Sequence, residues 1–236
     1  MSSEQQSRSR RNRPAKPALT KQWIVEVAAQ IMRAEGLEKV TMRRVAQQLD
    51  TGPASLYVYI PNTVGLHGEI LDQVLGGLSL DSDGSWRQQL DRLLGDYTAL
   101  LFENPGLARS ALVTRPTGPN SLRLFDLLMG LLLQAGVSPG QASWGADLLI
   151  LLVTATAAEH SPSRPDDVES PEEAAASSAR LQATVQGLNA ESYPALSQHA
   201  EVALAGTPAQ RSSWAIRSVL AGITATELPN DLSHHS

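Results

Sequence analysis

The chain has 236 residues, 42% of them apolar and 18% charged, with no cysteine. That is enough for one large or two small domains with a buried core, and the missing thiols exclude disulfides, thiolate metal sites, iron–sulfur clusters and a cysteine nucleophile. No window of 18 apolar residues occurs, so no membrane span is expected; the polar first residues lack the apolar core of a signal peptide, so the expected location is cytoplasmic.

The net charge of −5 is unevenly distributed. Residues 1–60 hold ten Lys or Arg against five Asp or Glu, whereas residues 61–236 hold nine Arg and no Lys against nineteen acids. A positive end on an acidic body suits a module that meets a polyanion, because phosphate neutralisation and counterion release supply most non-specific nucleic-acid affinity. A solvated basic tail would give the same count.

Residues 1–17 are Ser, Gln, Arg and Pro with little apolar content, and are expected to form a disordered basic arm. Leu19, Trp23, Ile24, Val27 and Ile31 then recur at helical spacing until Glu35-Gly36 supplies a stop. Thr41 is placed to cap a short helix over Met42–Leu49. Asp50-Thr51-Gly52-Pro53 breaks the pattern, and a second short helix follows through Ala54–Tyr59. After Pro61, Val64, Leu66, Ile70, Leu71, Val74, Leu75 and Leu78 mark a long amphipathic helix.

Four capping boxes punctuate the remainder: Ser85 with Gln88, Ser138 with Gln141, Ser170 with Glu173, and Thr207 with Gln210, the last three with Pro at the first helical position. They open apolar periodic segments over 86–102, 141–159, 172–188 and 209–227. Helices are also expected over 105–113 and 120–135, the latter apolar nearly all round and so internal. No strand signal remains, so the expected class is all-α. The expected division is a helix-turn-helix unit over 18–63, a helical body over 64–230 with a mobile loop at 160–171, and a tail over 231–236.

Candidates for chemistry are weak. Gly136-Val137-Ser138-Pro139-Gly140 matches G-x-S-x-G, but a helix precedes it where a nucleophile elbow needs a strand, so Ser138 reads as a helix cap. His67, His160, His199, His234 and His235 form no H-E-x-x-H pair. Asp81-Ser82-Asp83-Gly84 is followed by Trp86 and Arg87 where a calcium loop needs oxygen ligands, and reads as a turn. No cofactor, metal or catalytic residue is expected.

The sharper constellation is Thr41–Tyr59. A helix-turn-helix needs a supporting helix with small or apolar inward positions, here Val45, Ala46 and Leu49. It also needs a turn of about four residues and a second helix whose outward residues reach base edges. Ser55, Tyr57 and Tyr59 on the second helix, with Arg43 and Arg44 at the start of the first, are donors for phosphates and guanine edges. An ordinary helical hairpin inside an α domain has the same spacing.

At these residues the chain resembles the tetracycline-repressor (TetR) family of bacterial regulators. The likeness rests on Gly36, the run Val40–Leu49, the run Pro53–Ile60, then Leu66 and Ile70-Leu71, and covers about fifty residues. A weaker likeness to the tetracycline repressor's own class continues through Ser85-Trp86-Arg87, Thr114-Arg115-Pro116-Thr117 and a late helix with Trp214, Ile216, Leu220 and Ile223. The resemblance implies a homodimer that binds double-stranded DNA at a palindromic operator, joined through a fourth helix to a ligand-binding body. It implies that Arg43 reaches a base, Pro53, Ala54 and Ser55 the floor of the major groove, and Thr41, Tyr57 and Tyr59 the phosphates. Thr63 stands where many members have a phosphate-holding Lys, and Asp50 where a helix-ending Gly is usual.

By the same analogy the effector pocket lies among Tyr97, Leu100, Leu101, Arg115, Phe125, Leu128 and Leu151, where a buried Arg115 would need an anionic or polar partner. Ala111 and Ser79 stand where tetracycline-binding members carry magnesium- and drug-contacting His residues, which disfavours a magnesium–tetracycline effector. Dimerisation is expected through the helices over 141–159 and 209–227, anchored by Trp144, Leu148, Leu152, Trp214 and Leu220. The function expected is a ligand-released repressor. The rivals are an all-α enzyme, for which no convergent titratable cluster is found, and a helical scaffold protein without a DNA target.

Overall fold

A computed structural model describes residues 18–78, 83–104, 106–114, 117–160 and 170–229. The expected arm, Ser79, Arg115, most of the loop expected at 160–171 and the tail lie outside the described residues. The described residues form twelve α-helices and one 3-10 turn, without a strand.

The first helix, α1 (Lys21–Glu35), starts where the Thr20 hydroxyl accepts from the Trp23 amide, and ends where Gly36, at φ 92°, returns its N–H to the Met32 carbonyl. Its apolar stripe, with Ile24, Val27, Ala28 and Ile31 buried, packs on α4 (Thr63–Leu75). The 3-10 turn Leu37–Lys39 leads into α2 (Met42–Gln48), capped by Thr41, whose Oγ1 accepts from the Arg44 amide at 3.1 Å. Asp50 turns the chain at φ 50°, so it takes up the left-handed position at which glycine is usual. The next helix, α3 (Pro53–Tyr57), has Pro at its first position.

The body contains α5 (Trp86–Glu103), α6 (Leu107–Val113), α7 (Pro119–Gln134), α8 (Pro139–His160), α9 (Pro171–Gln186), α10 (Pro194–Gln198), α11 (Ala200–Leu204) and α12 (Pro208–Ala225). All four capping boxes form. Ser138, the Ser of the G-x-S-x-G pattern, bonds Gln141 reciprocally at the start of α8. The two short helices α10 and α11 and the Leu37–Lys39 turn had no sequence signal, since each is too short to show a period.

The central element is α8, with α5, α6, α7 and α12 against it. Its 22 residues are long and apolar enough to cross a membrane by length and composition, but Ala142, Ala146, Leu149, Val153 and Ala157 form a stripe spent on this core. The expectation that α7 is internal all round needs correction. Leu124, Leu128, Leu131 and Leu132 are buried, whereas Leu122 and Leu133 are exposed. Near the start of α7, Ser121, Leu122, Leu124 and Phe125 border a cavity.

Candidate nucleic-acid interface and effector cavity

A five-residue helix cannot hold itself together, because nucleation fixes several residues before hydrogen bonds compensate. Leu56 does so for α3: it is fully buried, Ile60 follows it into the core, and α3 lies on α2, whose Val45 and Ala46 are buried too. With Leu56 facing inward, Pro53, Ala54, Ser55 and Tyr57 all face solvent, and Arg43 stands exposed on α2 beside them. Among the described residues, Arg43 makes no ion pair or hydrogen bond, so its guanidinium is available.

Two of the residues expected to touch DNA make contacts within the chain, and a third caps a helix. The Arg44 guanidinium pairs with Glu35 at 2.5 Å and donates to Gln48 at 3.1 Å, so it braces α2 against the end of α1. This contact holds the Glu35 carboxyl below its ordinary value and Arg44 above its own, the shared hydrogen bond being the main cause of both. Tyr59 donates its hydroxyl proton to the Leu19 carbonyl at 2.7 Å, which leaves it no proton for a phosphate, itself an acceptor. The Thr41 hydroxyl caps α2 and keeps its own proton free. Thr63, half-buried, opens α4 just after the Asn62 cap, at the edge of this surface.

One end of α4 belongs to the N-terminal head of α1 to α3, where Lys21 of α1 pairs with Glu69 at 2.6 Å and a ring nitrogen of His67 meets the Val40 carbonyl at 3.1 Å. Its other end enters the body. There Leu71 and Leu75 line a cavity of about 380 Å³, bounded also by Tyr97, Ala111, Leu112, Thr114, Ser121, Leu122, Leu124, Phe125, Asp147, Ile150, Leu151 and Thr154.

Tyr97, Phe125 and Leu151 were expected there. Leu100, Leu101 and Leu128 do not line it: all three are packed in the core on the buried faces of α5 and α7. Periodicity showed that these positions are apolar, but which face turns toward a cavity depends on how the helices cross.

The cavity wall is mostly apolar, with several hydrogen-bonding groups and one carboxylate, Asp147. Tyr97 and Thr154 share a buried hydrogen bond of 2.8 Å across α5 and α8, and burial pushes the Tyr97 phenol up, against the smaller opposing effect of that bond. Among the described residues, the Thr114 Oγ1 is buried without a partner. No Lys or Arg is among the described lining residues, and no group of three or more His, Asp or Glu that could hold a metal is found among the described residues.

Of the expected dimer anchors, Trp144 is 53% and Trp214 66% exposed, and Leu148 is exposed as well. Trp144, Leu148, Gly145, Val219, Ile223 and Leu228 border a mostly apolar groove of about 480 Å³ between α8 and α12. Leu152 is half-buried. Leu220 is buried within the single chain, on α12, which packs on α8.

Comparison with known proteins agrees with this architecture. Residues 24–70 match the family described as bacterial regulatory proteins, tetR family, and residues 78–226 match the tetracyclin repressor-like C-terminal domain. The chain is 35% identical over 136 residues to the HTH-type transcriptional repressor DrrR1 of Streptomyces coeruleorubidus, a match covering 55% of this chain and 49% of that protein. The aligned region thus spans about half the length of this curated relative.

Among solved structures, SCO7704 of Streptomyces coelicor is 44% identical with a TM-score of 0.77, over 91% of this chain and 98% of that one. The Streptomyces coelicolor TetR family protein ActR, in complex with actinorhodin, is 31% identical with a TM-score of 0.74, over 88% of this chain and 98% of that one. With both halves matched in order on one helical frame, this chain belongs to the tetracycline-repressor family of helix-turn-helix transcriptional regulators.

Proposed function

We propose that this chain is a one-component cytoplasmic regulator that binds a palindromic operator as a homodimer and releases it when a small molecule enters the body. The division proposed is an arm over 1–17, a DNA-reading unit over 18–63 and an effector and dimerisation body over 64–230. The observation that carries this reading is the course of α4, which packs on α1 at one end and lines the cavity with Leu71 and Leu75 at the other. Arg43 and the exposed face of α3, Pro53 to Ser55 with Tyr57, read bases and phosphates; Thr41 and Thr63 add hydroxyl contacts at the edge.

Two recognition helices of a dimer must stand about 34–36 Å apart to enter successive major grooves. A ligand that binds better to a different setting of α4 therefore weakens operator binding by that difference in affinity. The cavity suits an organic molecule with an apolar body and a few hydrogen-bonding groups, held by Tyr97, Phe125, Leu151 and the unpartnered hydroxyl of Thr114. The ActR complex with actinorhodin supports an occupant of that general kind.

The homodimer reading rests on the apolar groove between α8 and α12, which exposed Trp144 borders, and on Trp214, exposed elsewhere on α12. It rests also on α9, α10 and α11, which pack on one another but leave Leu181, Tyr193, Leu196 and Val202 exposed.

The test is selection of bound duplexes from fragments of the source genome by the purified chain, followed by salt titration. One palindrome should be enriched, with affinity falling steeply as salt rises. Failure to enrich any sequence at low ionic strength, or a monomer by sedimentation at micromolar concentration, would overturn the reading.

A further inference from the structure

Asp72 is the one buried carboxylate among the described residues, only 7% exposed, and it sits on the last turns of α4. It faces the first turn of α7. Its Oδ1 accepts from the Ser121 amide at 2.8 Å and the Ser121 hydroxyl at 2.7 Å, and its Oδ2 from the Asn120 side chain at 3.3 Å and the Asn120 amide at 3.5 Å. The Asn120 side chain also donates to the Asp72 carbonyl at 2.9 Å. A helix N-terminus offers unpaired amides and a positive dipole end, so α7 is capped here by a residue 48 positions away on another helix.

Gly118 makes this approach possible. A Cβ at that position would lie 2.2 Å from the Asp72 carboxyl carbon, although φ −72° and ψ 163° suit any residue. The close approach, and not the backbone conformation, demands glycine. Ser121 also lines the cavity, so the residue that donates to the carboxylate of α4 also borders the space a ligand would fill.

Apolar packing between helices tolerates small slides, whereas a desolvated carboxylate with four donors holds its partners in one geometry. Elsewhere α4 meets the body through contacts of the sliding kind, such as Gly68 against the Thr114 methyl. We propose that Asp72, Gly118, Asn120 and Ser121 form the joint that sets the angle at which α4 carries the DNA-reading head. A ligand seated against Ser121 then acts on the head through the Asp72 carboxylate. This inference rests on the regulator reading above.

The test needs no known ligand. Purified full-length wild type, Asp72→Asn, Gly118→Ala and Ser121→Ala are each used to select duplexes from a random pool, and the enriched half-site and the spacing between half-sites are read. Asp72→Asn sets an amide N–H₂ against the Asn120 donors, and Gly118→Ala pushes the carboxylate away from the other side of the joint. Both should enrich the wild-type half-site with a broadened spacing, and bind the wild-type operator about tenfold more weakly with non-specific duplex affinity unchanged. Ser121→Ala, which keeps the amide bond, should show a smaller change in the same direction.

A residue with only a structural role would lower the melting temperature and leave the preferred spacing alone, and that result would overturn the proposal. If Asp72→Asn fails to fold by circular dichroism, Gly118→Ala and Ser121→Ala decide the question by the same criteria. If wild type itself enriches no sequence, the regulator reading fails, and the joint with it; unchanged spacing in the variants sinks the joint alone.

Discussion

The hydroxyl of Tyr59 donates to the backbone carbonyl of Leu19 at 2.7 Å, tying the chain just beyond α3 to the entry of α1. The neighbouring Tyr57 is more exposed and, among the described residues, makes no such bond. Two tyrosines two residues apart therefore do different work. Tyr59→Phe should lower stability by about 1 kcal/mol in thermal unfolding and leave operator affinity nearly unchanged. Tyr57→Phe should do the reverse, weakening duplex binding without moving the melting temperature.

Arg43 and Arg44 are adjacent in sequence but differently placed: Arg43 is exposed, whereas Arg44 pairs with Glu35. Arg43→Ala should weaken specific operator binding by about 1–3 kcal/mol with little change in melting temperature. Arg44→Ala should lower the melting temperature through loss of the Glu35 and Gln48 contacts. Equal effects of the two substitutions on duplex binding, measured by fluorescence anisotropy, would contradict this division.

The Glu35–Arg44 pair also has a pH signature. The folded carboxyl lies below its ordinary value of 4.5, held there chiefly by the Arg44 hydrogen bond, so the native state favours the charged form. Its stabilising effect is complete above that ordinary value and fades as pH falls through the depressed folded value. The melting-temperature difference between wild type and Glu35→Gln should be present at neutral pH and close on acidification. A difference that widens in acid would contradict the assignment.

On the cavity wall Thr114 carries a buried hydroxyl that has no partner among the described residues. An unsatisfied buried polar group costs about 1–3 kcal/mol, so Thr114→Val should be neutral or raise stability by about 1 kcal/mol in chemical denaturation. A loss above that amount would show that the hydroxyl is satisfied in the folded protein.

Gly145 lets α12 approach α8. A Cβ there would lie 2.9 Å from Ile223 Cγ2 and 3.0 Å from Leu132 Cδ1, so Gly145→Val should cost about 1–3 kcal/mol by overpacking. Thermal unfolding measures this directly, and an unchanged melting temperature would place α12 farther from α8.

What short-range chemistry sets was legible in the amino-acid order. The Thr41, Ser85, Ser138, Ser170 and Thr207 caps, the glycine stop at Gly36 and the Met42–Tyr59 layout all depend on residues within a few positions of one another, so their signals are contiguous. The family likeness over residues 19–71 was legible for the same reason.

Which contacts these side chains make within the chain is set by packing at long range. Arg44 pairs with Glu35 and Tyr59 bonds Leu19, and the crossing of the helices places Leu100, Leu101 and Leu128 in the core and not among the residues that line the cavity. Asp72 left no local trace, because its partners Asn120 and Ser121 are 48 and 49 residues away. Helix periodicity reports that a face is apolar or polar; what that face meets is set by packing between elements distant along the chain.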